Sequence, residues 1–265
     1  MKKRVFLLGL LFLVGLSVLL YPLISSEWNR HRSDAMIDSY TQTVSQAPAE
    51  DRSAWIDSAR QYNAALEGKH FPDAFANITR EESAAYLAQL AFDDNGAMAY
   101  ISIPRIDVSL PVYHGTSPEA LAKGAGTHCV ISAHRGLPSA TLFTDLDQLR
   151  LGDHFYLYVL DQVLAYQVDQ ILVVDPDEME ALNRQDGADY TTLVTCTPYG
   201  VNTQRLLVRG HRVAYEPETE QQEAQQTVRS LHTNYVLWVA VGLGVTLVFI
   251  LLLWRGQRSK GKRLS

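Results

Sequence analysis

The sequence predicts a mainly β domain, built as a closed antiparallel barrel or a sandwich with short helices, that follows a helical region and lies between two transmembrane helices. Two segments of 20 residues, Val5–Ile24 and Tyr235–Trp254, contain no charged residue. Residues 25–95 place apolar side chains at helical spacings, whereas residues 96–216 contain seven short runs of strand-forming residues separated by turn residues. Many short strands with only brief helices between them are typical of an antiparallel barrel or sandwich.

The two uncharged segments are long enough to cross a bilayer core of about 30 Å as helices. The first is long for a signal peptide and no Ala-x-Ala-like site follows it, so we expect an uncleaved anchor, with a cleaved signal peptide as the alternative. All 29 acidic residues lie between Glu27 and Glu223, whereas eight of the 23 basic residues flank the outer ends of the two segments. The positive-inside rule therefore predicts that both termini are cytoplasmic and that residues 25–234 are extracellular.

The chain divides into six parts, with a domain boundary at the turn Asp93–Gly96. We assign them as the N-terminus with the first transmembrane helix (1–24), an extracellular helical region (25–95), the barrel domain (96–216), a polar linker (217–234), the second transmembrane helix (235–254) and a basic cytoplasmic tail (255–265). Helices are expected at Ser33–Ala47 and Ser53–Leu66, and a capping box opens another from Thr79 to Leu90.

Composition excludes several classes of function. Residues 25–234 carry a net charge of −14, which argues against nucleic-acid binding, because that function usually needs a basic face. The chain has two cysteines and no His-Glu-x-x-His motif, so no metal site of cysteine pairs is expected.

Cys196 is the strongest candidate for chemistry. It ends the predicted strand Thr191–Cys196, and Arg205 opens the next strand after eight intervening residues. If these strands pair as a hairpin, Cys196 and Arg205 flank the base of one loop, where a guanidinium favours the thiolate and stabilises an oxyanion. A tyrosine-phosphatase loop is excluded, because its arginine would stand at position 202, which is Asn.

His134 is the candidate partner of Cys196, because it ends the predicted strand Cys129–Ala133 and can protonate a leaving amine. A purely structural histidine is the alternative. A disulfide between Cys196 and Cys129 also stays open for an extracellular domain. Cys129 stands within an apolar run, however, and suits a small buried hydrophobic residue better.

These motifs together resemble one family. Thr192–Cys196 matches the Thr-Leu-x-Thr-Cys motif of sortases, residues 197–212 resemble the continuation found in class C members, and residues 132–138 resemble the segment that carries the catalytic histidine. Residues from about 96 to 215 therefore resemble a sortase, and more narrowly a class C, pilin-polymerising sortase. The expected fold is then the closed sortase-type barrel.

The resemblance implies a membrane-anchored cysteine transpeptidase on the outer face of a Gram-positive cell. Cys196 would be the nucleophile, His134 the general acid/base and Arg205 the stabiliser of the oxyanion. The implied substrates are pilin or surface proteins with Leu-Pro-x-Thr-Gly-like sorting signals, joined through a thioacyl enzyme to a pilin lysine. The alternatives are a sortase that anchors proteins to cell-wall precursor, and a catalytically impaired, membrane-tethered scaffold.

Two features depart from the family pattern. The lid of class C sortases commonly carries Asp-Pro and an aromatic residue. The loop 70–77 instead has Asp73 and Phe75 separated by an alanine. In the lid role Asp73 would pair with Arg205 and Phe75 would cover Cys196, whereas the alternative is an ordinary turn with a buried Phe. After Gly126 the sequence lacks the further strand and glycine-rich turn that family members usually carry there, which predicts a gap or an open edge in the barrel.

Overall fold

The computed structural model describes residues 2–64, 84–91, 96–115, 125–127, 130–182, 189–228 and 240–247. Its labelled helices are α1 (Lys2–Gln46), α2 (Ala49–Ala64), α3 (Ala84–Leu87) and α4 (Pro217–Gln225), and residues 240–247 are also helical. Its strands are β1 (Ala97–Ile103), β2 (Val108–His114), β3 (Ala125–Thr127), β4 (Val130–Ser132), β5 (His154–Val159), β6 (Gln162–Val174), β7 (Tyr190–Thr197) and β8 (Gln204–Val213).

The strands form a closed barrel in the order β1-β2-β3-β4-β7-β8-β6-β5, and β5 pairs with β1 to complete it. The prediction of a mainly β, closed barrel is confirmed, and each of the seven predicted strands lies within two residues of its expected bounds. Strand β1 alternates fully buried and half-buried residues along its whole length. This two-residue period is what a strand with one face on a core requires.

The expected gap after Gly126 is wrong. Residues Ala125–Thr127 form β3, which pairs in parallel with β2 and, through Gly126 and Ser132, antiparallel with β4. Three residues are too few to show an alternating pattern, so the strand is invisible in the sequence. Its pairing leaves no open edge between β2 and β4, and a neighbouring chain is not needed to close the barrel.

One end of the barrel carries the candidate site, and we call it the Cys196 rim. It is formed by the C-terminal ends of β1, β4, β6 and β7 and by the N-terminal ends of β2, β5 and β8. The opposite end, the far rim, includes the β5–β6 turn at Leu160–Asp161. The loops that follow β1, β4, β6 and β7 therefore all lie at the end of the barrel where Cys196 is found.

The barrel interior is apolar and includes the loop that follows β4. Ile101, Phe155, Leu193 and Val208 are fully buried inside, and Phe143 from that loop packs into the same cluster. Burying a side chain of this size stabilises a fold by about 1.5–3 kcal/mol. The loop that carries His134 is therefore fixed on the same core as β7.

A single long helix leads into the domain. In the described parts of the chain, one helix is long and apolar enough to cross a membrane, and it runs within α1 over Gly9–Gln46. The helix expected at Ser33–Ala47 is the C-terminal half of α1, where Tyr40 is buried against the barrel. Its N-terminal half is apolar yet exposed.

Part of the expected polar linker is the helix α4, which packs on the barrel. The Glu220 carboxylate accepts hydrogen bonds from the hydroxyls of Ser102, Tyr158 and Tyr215, at 2.7–3.1 Å. Burial, followed by the bond to Glu220, raises the pKa of Tyr158. The composition of this Glu-rich segment indicates a solvated linker, but in the folded protein the Glu220 carboxylate binds hydroxyl groups and holds α4 on the barrel.

Several expectations fall on other parts of the chain. The lid loop 70–77 with Asp73 and Phe75, most of the second transmembrane segment, and Cys129 lie outside the described residues. Of the helix expected up to Leu90, α3 is the described helical part. The brief helices expected between strands include two 3-10 helices, Leu146–Gln148 and Met179–Leu182.

Candidate active site

The predicted hairpin exists and brings Cys196 and Arg205 together. β7 and β8 pair antiparallel, and Cys196 lies directly opposite Arg205 in their register. Directly opposed residues in such a pair have Cα atoms about 4.5–5.5 Å apart and side chains on the same face. Both residues are buried, and Cys196 is a thiol outside any disulfide. A guanidinium is thus held beside a thiol in a place that excludes most water.

The segment before His134 is tied to β7 just ahead of Cys196. The Ala133 N–H donates to the Val194 carbonyl at 3.2 Å, and the Thr195 hydroxyl donates to the Ala133 carbonyl at 2.8 Å. Because β4 and β7 run parallel, the residue after Ala133 enters the Cys196 rim beside the end of β7. The structure therefore brings His134 to the same rim as the hairpin.

The surroundings of His134 disfavour its charged form. Its ring is half-buried, and burial lowers the pKa of His134 from its ordinary value of 6.5, because the imidazolium loses solvation. A neutral imidazole can take the proton of a neighbouring thiol and return it later to a leaving group. The environment of His134 thus suits a residue that exchanges a proton during a reaction.

The loop after Cys196 packs onto the loop after His134. The Tyr199 ring lies so close to Gly136 that a Cβ at position 136 would stand 3.3 Å from it. Gly136 also has a φ of +78°, which side chains rarely adopt. Both the conformation and the contact require glycine here, and together they hold the two loops at a fixed separation.

A barrel with these three residues at one rim can be compared with known proteins. The family model of the sortase domain matches residues 101–213. Sortase C of Streptococcus pneumoniae is 43% identical, with a TM-score of 0.64 over 68% of this chain and 97% of that one. The chain belongs to the sortase family of cysteine transpeptidases. Sortase C-1 of Actinomyces oris, at 42% identity and a TM-score of 0.60, covers 63% of this chain and 99% of its own, so the likeness to class C sortases is confirmed.

Curated sortases match a shorter region. Sortase A of Bacillus anthracis is 30% identical over 139 residues, which are 49% of this chain and 66% of that protein. Sortase A of Streptococcus agalactiae is 29% identical over 123 residues. The match therefore covers 66% of the Bacillus anthracis protein and 49% of the Streptococcus agalactiae protein.

Sequence reasoning missed one well-placed residue of this sortase, Arg135. Its guanidinium is buried and donates to the Thr144 carbonyl at 3.1 Å, to the Thr197 hydroxyl at 2.9 Å and to the Asp147 carboxylate. Thr197 is the residue directly after Cys196, so Arg135 joins the His134 loop to the end of the nucleophile strand. A charged residue between an apolar strand and a glycine was the available signal, but its partners are 9 to 62 residues away.

Arg205 is oriented by its own loop. One guanidinium nitrogen donates to the carbonyls of Asn202 at 3.3 Å and Gln204 at 3.1 Å. These bonds hold the planar group near Cys196 before any ligand arrives, which lowers the cost of reorganisation during a reaction. In the described residues, no group of three His, Cys, Asp or Glu side chains is arranged to hold a metal ion.

Proposed function

We propose that this sortase is a membrane-anchored transpeptidase that cleaves Leu-Pro-x-Thr-Gly-like sorting signals and joins pilin subunits through lysine isopeptide bonds. The observation that carries the proposal is the direct register of Cys196 with Arg205 at a buried strand end, with His134 brought to the same rim. A thiol, a proton carrier and a fixed cation are what acyl transfer from an amide needs.

The proposed reaction has two steps. The Cys196 sulfur attacks the Thr carbonyl carbon after its proton passes to His134, and Arg205 stabilises the negative oxygen of the tetrahedral intermediate. The C–N bond to Gly then breaks as His134 gives its proton to the leaving amine, which leaves a thioester on Cys196. A lysine amine then attacks the thioester carbon, the C–S bond breaks as the amide forms, and a proton lost by the amine returns to the Cys196 sulfur, so that no cofactor is needed.

Pilin is the proposed acceptor because two similar sortases are connected with pili or pilins. The similar sortase C of Group B Streptococcus, 36% identical with a TM-score of 0.61, is described as pilus-related. The study of the Streptococcus pneumoniae enzyme concerns pilin substrate specificity. Pilin or other surface proteins with sorting signals are therefore the proposed partners, and a cell-wall amine is the competing acceptor.

The nucleophile is tested with a matched pair of variants. Cys196→Ala should abolish cleavage of a sorting-signal peptide, because Cys196 lies opposite Arg205. Cys129→Ala should keep most of it, because Cys129 stands within an apolar run of the sequence. The thioacyl enzyme should appear by mass spectrometry in the Cys129→Ala protein and be absent from Cys196→Ala. Substantial turnover by Cys196→Ala would overturn the mechanism, and an inert wild-type enzyme would favour the scaffold alternative.

The acceptor is tested by competition. The enzyme receives a sorting-signal peptide together with a pilin domain and an amine that mimics the cell-wall precursor. We expect an isopeptide-linked pilin product as the main species. Transfer to the precursor amine alone would contradict pilin polymerisation while leaving the transpeptidase chemistry intact.

We also propose that α1 anchors the chain, that the segment 235–254 is a second span, and that both termini are cytoplasmic. The support is the apolar, exposed N-terminal half of α1 and the basic residues at both chain ends. Protease added to intact protoplasts should degrade the barrel and spare tags at either terminus. Digestion of the C-terminal tag would refute the two-span topology.

A further inference from the structure

The chain enters the domain at the Cys196 rim. Just beyond the uncharged segment that ends at Ile24, the Asn29 side-chain amide donates to the Ser139 carbonyl at 2.6 Å, in the loop that follows His134. One residue later, Arg30 forms an ion pair of 3.0 Å with Asp107, in the turn between β1 and β2. Both contacts join α1 to loops at this rim.

α1 then runs along the barrel to the far rim. There the Tyr40 hydroxyl donates to the Met98 carbonyl at 3.2 Å and accepts from the Leu160 N–H at 2.7 Å. The eleven residues from Asn29 to Tyr40 correspond to about 16 Å of helix at 1.5 Å per residue. The Cys196 rim is therefore the end of the barrel nearer to the apolar half of α1.

The C-terminal segment returns to the same end. β8 finishes at the far rim, and α4 leads back along the barrel to the turn after β1. There the Arg105 guanidinium donates to the Gln226 carbonyl at 2.8 Å, and the Val228 N–H donates to the Arg105 carbonyl at 2.7 Å. In the apolar helix of residues 240–247, a Cβ on Gly242 would stand 2.6 Å from the Leu19 side chain of α1. Both chain ends thus leave the domain from the Cys196 rim and meet again in their apolar segments.

Exposed apolar side chains mark this rim as well. Outside α1 and residues 240–247, five large hydrophobic side chains are exposed among the described residues, and four of them lie at the Cys196 rim: Leu151, Val173, Tyr199 and Val201. The fifth, Leu87, belongs to α3. Trp28 on α1 is 72% exposed four residues beyond Ile24, where aromatic side chains occupy the membrane interface. Apolar patches that adjoin a membrane anchor are suited to the interfacial region of a bilayer.

From these observations we infer that the Cys196 rim lies on the outer surface of the bilayer that holds α1, with Leu151, Val173 and Val201 in contact with the headgroup region. The inference depends on the membrane anchoring proposed above. Asn29 stands five residues beyond Ile24, or about 7.5 Å along the helix, and the headgroup layer of one leaflet is about 5–7 Å thick. The Ser139 loop that Asn29 holds is thus at the level of the lipid headgroups.

This placement sets the kind of substrate that the site accepts best. A sorting signal attached to an apolar segment in the same bilayer would emerge directly at Cys196, without crossing the height of the barrel. A soluble peptide gains nothing from this geometry. Contact of the rim with the headgroups should therefore make turnover of a membrane-held peptide faster than turnover of the same peptide in solution.

Depth measurements test the placement in full-length protein reconstituted into vesicles. In a Cys129→Ser, Cys196→Ala background, Leu151→Cys at the Cys196 rim and Asp161→Cys at the far rim each receive an environment-sensitive fluorophore. Vesicles contain lipids with a nitroxide on the headgroup. We expect strong quenching at position 151 and little at position 161, and equal quenching or the reverse order would overturn the inference.

Turnover measurements separate the inference from the proposed function. Leu151→Glu and Gln162→Glu, its control at the far rim, are each assayed with a soluble peptide and with the same peptide on a membrane anchor. Leu151→Glu should cleave the anchored peptide severalfold more slowly and the soluble one at the wild-type rate, whereas Gln162→Glu should change neither. Equal loss on both peptides would mean that the rim binds peptide instead of lipid. Soluble-peptide turnover without quenching refutes the membrane contact alone, and quenching without turnover refutes the transpeptidase alone.

Discussion

Replacing Arg135 should lower both the stability and the kcat of this enzyme, although Arg135 is not one of the three proposed catalytic residues. The guanidinium joins three partners, and two of them lie on different parts of the Cys196 rim: Thr144 in the loop that follows β4, and Thr197 at the end of β7. Arg135→Lys keeps the charge and reaches Asp147, but an ammonium cannot serve three acceptors in the directions of a planar fork. We expect the His134 loop to lose its fixed distance from the nucleophile strand.

The magnitude follows from burial. Breaking a buried ion pair costs about 3–5 kcal/mol when one charge is left without solvent. The Arg135 side chain is 4% exposed but that of Asp147 is 38% exposed, so water partly solvates the remaining carboxylate. We therefore expect Arg135→Met to lower the free energy of unfolding by about 2–3 kcal/mol, below the fully buried range, and Arg135→Lys by less. Displacing a reacting group by about 1 Å costs up to 10²-fold in rate, so kcat should fall by about ten- to hundredfold while KM changes little.

The assay combines urea unfolding with steady-state cleavage of a sorting-signal peptide. Arg209→Lys is the matched control, because Arg209 of β8 is ion-paired with Asp169 of β6 at 2.9 Å and its guanidinium lies over the Tyr190 ring of β7. Arg209→Lys should keep kcat. If Arg135→Lys has the kcat of Arg209→Lys, then Arg135 does not position the site and contributes only to stability.

Three further predictions concern the proposed machinery. Arg205→Lys should reduce the rate of peptide cleavage by roughly 10²–10³-fold, as loss of an oxyanion donor does. A Lys variant that stays within about threefold of the wild-type rate, far short of that loss, would mean that Arg205 contributes only its positive charge. Burial lowers the pKa of His134, so the acid limb of the pH profile of kcat/KM should lie below pH 6.5. In that range protonation of the imidazole prevents it from accepting the thiol proton. A pH–rate profile with its acid limb at or above pH 6.5 would contradict this. The lid stays a prediction: replacing both Asp73 and Phe75 by Ala should speed modification of Cys196 by a small thiol reagent, and an unchanged rate would mean that the loop does not cover the thiol.

The sequence alone predicted the strands of the barrel, because strong turn signals separate its short runs of strand-forming residues. In β1 the burial also alternates with the two-residue period of a strand. The sequence also predicted the pairing of Cys196 with Arg205, since two strands joined by a short loop must pair as a hairpin. The interaction is local along the chain, and local patterns can be read without knowing the rest of the fold. The placement of His134 at the same rim followed from the family motif, and the register of β4 with β7 gives its physical basis.

Tertiary structure decided what depends on distant partners. The three-residue strand β3 exists because β2 and β4 offer backbone donors and acceptors on both sides, not because Ala125–Thr127 favour a strand. The helix α4 packs on the barrel because the hydroxyls of Ser102 in β1 and Tyr158 in β5, joined by that of Tyr215, bind Glu220. Arg135 becomes part of the site only when Thr197, 62 residues away, arrives beside it. The composition of a segment indicates which conformations it favours, but the distant partners that select one of them come together only in the closed barrel.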